Sequence, residues 1–494
     1  MKNIKFIFSA LFVMSMIYSC QDATDIEQVG ELSEEASFQT ISDLNSGLSG
    51  AYSFYGIDTG GNGGGDAIFF NAVLTDNVKA GISNNGQGST TYQYVVDISD
   101  GSPSDYVWSN RYSFINQINR VLRASGNLSF SGDKAVEQAH INGQLYALRA
   151  LAHLDLFEYF TVNYQDPQDL AIINVDFVPE IDEQLERNTV AQTVAFIRND
   201  LALATQNLDA NSPTTAQNIF VNQDFVDFLK IKLDLITSDF DANTMTLANN
   251  LMTKYPLSST LDYTLMWLDA AAGESIFTLA RGQGDADVGD LFYFNQVVPS
   301  DAFIEVSNGL YNELTELPGD VRLSAFVEQS ISDIVGTNDP DNRIFLNKYP
   351  GSGAGPQIND IKMARSSEVL LMIAEMQSRN GDYAGAQSSI KQLRDARTGS
   401  NTMMPDYNNN LNTALTDIKK ERRRELCFEG RRLLDIKRFD ADLNVGLQRN
   451  PVDCTSFEAP CNIPANDFRY TLAIPQRELF GNRTITQNPG YPTN

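Results

Sequence analysis

Ile418-Lys419-Lys420-Glu421-Arg422-Arg423-Arg424-Glu425-Leu426-Cys427-Phe428-Glu429-Gly430-Arg431-Arg432 is the most charge-dense stretch of the sequence, and its spacing dictates the architecture around it. Glu421, Arg424, Glu425, Glu429 and Arg432 fall three or four residues apart, the separation at which helical neighbours pair. Leu426, Leu433 and Ile436 supply apolar anchors. Gly430 permits a sharp break between two elements. The stretch therefore predicts helices over about 411–428 and 431–440. Arginine's planar fork binds carboxylates bidentately, so the charges read as a self-satisfied scaffold. A grip of Arg422–Arg424 on an anionic ligand is the lesser reading.

The same periodicity extends upstream. Val369, Ile373 and Met376 form one stripe, Ala386, Ile390 and Leu393 the next, and Asn380-Gly381-Asp382 is the turn between them. Trp108, Tyr112, Ile115, Asn119 and Leu122 lie on one helical face, which makes Trp108 a core residue. Ile141 to Tyr159 continue the pattern in a helix over about 133–160, followed by helices in 189–208 and 222–254 with a break near Asp239-Phe240-Asp241. Paired helices bury faces that no single pair can bury alone. Ala374-Glu375 and Gly381-Asp382-Tyr383-Ala384-Gly385-Ala386 resemble the turn of a tetratricopeptide repeat. The expected fold is mostly α: four degenerate pairs as scaffold, with long loops over 56–107 and 255–360. A few short strands are expected, in Ser275–Leu279 and near Thr91-Tyr92-Gln93-Tyr94-Val95. Long loops on a rigid scaffold carry function.

Charge narrows the function. The 494 residues include 36 basic and 63 acidic side chains, a net charge of −27. Such a surface repels phosphate backbones, and nucleic acid is not an expected partner. Two histidines, His140 and His153, are too few for a multi-histidine metal site. No Gly-x-Ser-x-Gly elbow is present, and the Gly60–Gly65 run lacks the lysine of a phosphate loop. The chain is not read as an enzyme, and no cofactor is expected. A structural calcium ion at Asp285, Asp287 and Asp290, or at Asp339, Asp341 and Asn342, is a minor reading, because neither run ends in a bidentate glutamate.

Lys2 and Lys5 precede an uncharged apolar run from Phe6 to Tyr18, the pattern of a secretory signal. The run closes at Ile17-Tyr18-Ser19-Cys20, which resembles a bacterial lipobox. The implied processing removes residues 1–19 and attaches lipid to Cys20. Loss of the two lysines takes the net charge from −27 to −29. Residues 20–35 then form an acidic tether, and stable anchoring follows from two or three acyl chains. In an exported chain, Cys454 and Cys461 are expected to pair. Cys427 is read as a packed core thiol.

Several patches together resemble the SusD/RagB family of outer-membrane nutrient-binding lipoproteins. They are Trp108-Ser109-Asn110-Arg111-Tyr112 with Asn119-Arg120, Ala147-Leu148-Arg149-Ala150 with Asp155-Leu156, and Arg365-Ser366-Ser367-Glu368-Val369-Leu370. To these add the 418–438 block and the closing Gln487-Asn488-Pro489-Gly490-Tyr491. The resemblance implies a SusD-like fold in which residues 36–254 and 255–494 are two halves of one compact body. It also implies capture of a nutrient, most simply an oligosaccharide or polysaccharide, at the exterior face of the outer membrane. The ligand would pass to a SusC-like TonB-dependent transporter. A peptide-binding member of the family would share this scaffold, and a surface glycoside hydrolase is the remaining alternative.

Glycan recognition sets an exposed aromatic ring against the sugar's apolar face, with amides, carboxylates or arginine at its hydroxyls. The loops offer Tyr52, Phe54, Tyr55 and Asp58 before the glycine run, and Phe69, Asn71, Asp76, Asn77 and Lys79 after it. Trp267, Arg281, Tyr293 and Asn295 come from the middle loops.

Overall fold

In a computed structural model, residues 34–57, 67–212, 217–285, 288, 292 and 302–493 are described. The signal, Cys20, nearly all of the tether, the Gly60–Gly65 run, Asp58, Tyr293 and Asn295 lie outside them. So do Asp287 and Asp290.

The centre is the helix Asp133–Phe160, buried on nearly every side from His140 onward, with Arg149, His153, Asp155 and Glu158 enclosed among its apolar residues. Ile41–Ile57, Pro103–Gly126 and Val190–Asn207 pack around it. Ser102 caps the Pro103–Gly126 helix by accepting the Asp105 N–H, with proline at the first helical position. Gln223–Ile236 and Ala242–Lys254 are separated where expected, and Asp241 starts the second with a reciprocal capping box to Thr244. Ser366–Arg379 pairs with Tyr383–Thr398 across Gly381 at φ 79°, and Leu411–Leu426 leads into Arg432–Leu443 past Gly430 at φ 72°. Among the described residues, no helix is long and apolar enough to cross a membrane.

Ser275–Leu279 is a fully buried strand, antiparallel to Ile361–Arg365. The alternation at 91–95 makes no strand; it ends the short helix Ser89–Tyr92 instead. Tyr92 and Tyr94 are both buried, but their rings sit under Arg449 and Arg469, at 4.1 and 5.0 Å, rather than on a sheet. A two-residue period here reports two cation–ring contacts.

The halves of the chain interlock. Val78–Ala80 pairs with Ile304–Val306. Arg449 is buried and donates to the carbonyls of Val73, Leu74 and Thr75 at the end of the Ala67–Leu74 helix, and to Tyr92. A cation there satisfies helix-end acceptors and favours the dipole. Arg449 N–H also bonds Cys461 O, and Cys461 is joined to Cys454 by a disulfide with Cα atoms 5.2 Å apart.

The charge block found in the sequence is interior. Glu425 accepts from Arg365 at 2.9 Å and from Arg397 at 2.8 and 3.0 Å, and touches Arg322 at 3.2 Å; all four side chains are essentially unexposed. Burial alone would raise the Glu421 carboxyl, but Arg322, Arg394 and Arg424 outweigh it and hold it down to about 2. Burial pushes the His153 imidazole down to about 3. Its Nδ1 lies 2.9 Å from Arg149 O and its Nε2 accepts the Val175 N–H, the bonding of a neutral ring.

Both shifts cost stability in acid. An unfolded chain binds protons at a free histidine below about pH 6.5 and at a free carboxylate below about 4.5. The fold resists both, so its stability falls from pH 6.5 toward 3 as His153 is forced to charge, and from 4.5 toward 2 as Glu421 is neutralised. Glu158 and Asp200, whose carboxyls burial raises, oppose this. The lowered set is larger, with Asp76, Glu368, Glu425 and Asp435 beside Glu421. The urea midpoint is expected to drop steadily between pH 6.5 and 3; a flat profile contradicts the assignment.

Candidate functional site

Most of the loop residues singled out in the sequence are internal. Tyr55 is buried, donates to Asp155 Oδ2 at 2.8 Å and lies under the Arg111 guanidinium at 4.4 Å. Tyr52 is half-buried, bonded to Gln144 at 2.6 Å and to the Val221 N–H at 2.9 Å. Phe54 stacks on Phe114, and Phe69 is buried against Phe292. Asn71 donates to the Tyr159 hydroxyl and accepts the Leu433 N–H. Asp76 takes both Arg432 nitrogens, at 2.8 and 2.7 Å, Asn77 accepts from Arg423, and Lys79 pairs with Glu305 at 3.3 Å. Arg281 is buried, and its N–H bonds Asp360.

Trp267 is the clearest correction. It is 2 % exposed, edge-on to Tyr263, Phe326 and Tyr349, with Lys348 Nζ 4.3 Å from its ring centre. A ring enclosed in this way offers no face to a sugar. The physical reason is common to the group: in this junction between distant segments, polar and aromatic side chains satisfy one another. A cavity of only about 40 Å³ remains between Tyr55, Arg111, Asp155, Lys362 and Arg431. That is room for water and no ring.

Larger openings lie elsewhere. A cleft of about 270 Å³ is bounded by the loop from Gly86 to Pro103. Gly86 and Gly101 have positive φ and face open space, so the backbone itself forms part of the wall. Ser89, Thr90, Thr91 and Ser99 present hydroxyls, and Asp97 and Asp100 present carboxylates. Tyr106, 40 % exposed, stands three and four residues beyond Pro103 and Ser102, on the same helical face. Gly81 N and Asn84 Nδ2 both bond Phe303 O, at 2.9 and 2.7 Å, and so hold the loop to the middle of the chain. The cue for this cleft was local: glycines interleaved with serine, threonine and aspartate before a Ser-Pro helix start.

A second cleft, also about 270 Å³, runs beside Trp108, Tyr112 and Asn116, closed by Glu183, Glu478 and Asn482. A larger opening, about 660 Å³, is a groove between Val190–Asn207, Gln223–Ile236 and Ala242–Lys254. Its floor is Leu201, Leu233 and Leu247, and Arg198 spans it to Asp234 and Asp239 at 2.7 Å each. Sequence reading placed no opening on the helical scaffold. Among the described residues, no group of three or more His, Cys, Asp or Glu could hold a metal.

Comparison with known proteins agrees over most of the chain. Residues 326–491 match the model described as SusD family, and residues 25–221 match a SusD-like model described as "Starch-binding associating with outer membrane". No curated protein matches. A SusD superfamily protein from Bacteroides thetaiotaomicron superposes with a TM-score of 0.77 at 24% identity, over 91% of this chain and 100% of its own. Surface glycan-binding protein A from Bacteroides fluxus gives 0.67 at 18%, over 91% and 99%. A laminarin-binding SusD-like protein gives 0.66 at 19%, over 92% and 100%. Identities this low carry the fold and nothing finer.

Proposed function

The chain belongs to the SusD family, a family of outer-membrane-associated glycan-binding proteins rather than enzymes, and from that premise we propose that it captures an oligosaccharide or polysaccharide outside the cell. In this reading Cys20 carries the lipid anchor, residues 20–35 are the tether, and residues 36–254 and 255–494 form one body. That body hands its ligand to a TonB-dependent transporter. The observation that carries the reading is the 86–103 cleft. Hydroxyls and carboxylates converge there, and Tyr106, exposed one helical turn beyond Pro103 of its wall, is the aromatic ring nearest in the chain to serve it.

The test is affinity electrophoresis of residues 21–494 through gels cast with starch, laminarin, xylan, mannan and pectin. One neutral polymer is expected to retard the chain without being shortened. Tyr106→Ala should weaken that retardation about tenfold, the equivalent of ~1.4 kcal/mol. Retardation by none of the polymers would overturn the glycan reading. A second reading, peptide capture, has the 660 Å³ groove in its favour: its size is that of a ligand pocket, and its apolar floor and charged rim suit an extended chain.

A further inference from the structure

We infer that the cleft beside Tyr112 and Asn116 is a second contact site for the same glycan that enters the 86–103 cleft, so that the protein grips a run of sugars rather than a single end unit. The inference rests on the glycan reading above.

Position is the first support. Both clefts open along one helix: Ser102 and Pro103 border the first, while Tyr112, Ser113 and Asn116 line the second. Ten residues separate Pro103 from Ser113, about 15 Å along the helix axis. The helix Gln476–Gly481 fixes them relative to each other. Its Arg477 Nε reaches Asp105 at 2.8 Å, and Glu478 accepts the Trp108 indole N–H at 3.1 Å. The ring of Tyr112 is held because its hydroxyl both donates to Ile173 O and accepts the Ile173 N–H, each at 2.9 Å. Asn482 ties Leu185 O to Glu478. The walls are therefore set before any ligand arrives.

Chemistry is the second support. The cleft offers a hydroxyl, an amide and two carboxylates, from Ser113, Asn116, Glu183 and Glu478, beside the apolar Tyr112 and Pro179. Gln184 Nε2 bonds Gly481 O at 3.0 Å and ties the segment that carries Glu183 to the one that carries Glu478. At about 270 Å³ each, either cleft alone falls just short of a typical ligand pocket. Together they do not. Asp97, Asp100, Glu183 and Glu478 line the two clefts, while Arg477 reaches Asp100 at 3.6 Å and Arg120 donates to Asn116, so the excess of carboxylate favours a neutral chain over an acidic one.

The experiment is calorimetric titration with a length ladder cut from whichever neutral polymer retards the protein. Wild-type affinity is expected to rise at least about tenfold from two- and three-sugar fragments to six- to eight-sugar fragments. Ser113→Trp, at an exposed wall position, should fill the second cleft, remove that gain and leave short-fragment affinity unchanged. Asn116→Ala, a truncation that adds no bulk, should cut long-fragment affinity about threefold. A length gain that survives both substitutions overturns the inference. So does wild-type affinity that is flat with length, while the glycan reading then stands. Binding to no polymer at all removes both.

Discussion

Glu425→Ala is expected to cost about 3–5 kcal/mol, because it strands buried arginines rather than deleting one contact. Arg322, Arg365 and Arg397 surround this carboxylate, and none of the three can reach water. Glu274, Asp320, Glu421 and Glu429 remain to neutralise them. They are already committed, so the loss cannot be shared out. Against a total stability of about 5–15 kcal/mol, the change is decisive. Glu425→Gln keeps the shape and some of the hydrogen bonds and should lose less. Urea midpoints of the two variants give the comparison. A Glu425→Ala chain whose urea midpoint equals that of wild type would mean that the cluster is solvated and its charges independent.

Trp267→Ala should cost a similar amount, about 3–5 kcal/mol for the cavity left by a buried indole. A further loss falls on Lys348, whose ammonium sits 4.3 Å from the indole and 4.1 Å from the Phe326 ring. A cation desolvated against aromatic faces depends on them. Trp267→Phe should recover part of the stability. The informative measurement is binding by the fraction that remains folded. If Trp267 is core, that fraction is retarded in a glycan gel as strongly as wild type. Retardation lost from a fully folded variant would return Trp267 to the ligand site.

These two residues show what can be read from a sequence and what cannot. The helices were legible because the information is local: a stripe such as Val369, Ile373, Met376 needs only its own periodicity. The charge block was legible only in part: Arg424 pairs with Glu421 at helical spacing, but Glu425, Glu429 and Arg432 take their partners from distant segments. The surroundings of the candidate binding residues were not. Asp76 meets Arg432 across 356 residues, and a carboxylate in a loop looks the same whether it faces solvent or a distant arginine. Tyr106 escaped notice for the converse reason. It occupies the first turns of a well-marked helix, and only the packing around Ser102 and Pro103 decides that its side is left uncovered.

Arg449 adds a constraint of position. It stoppers the Ala67–Leu74 helix and holds Tyr92, next to the hydroxyls of Thr90 and Thr91 in the first cleft, yet it lies in the last tenth of the chain. On the function proposed above, a chain clipped before Arg449 would keep the hydroxyls of the first cleft and lose the cation that holds their backbone in place, so the grip would be the first property to go.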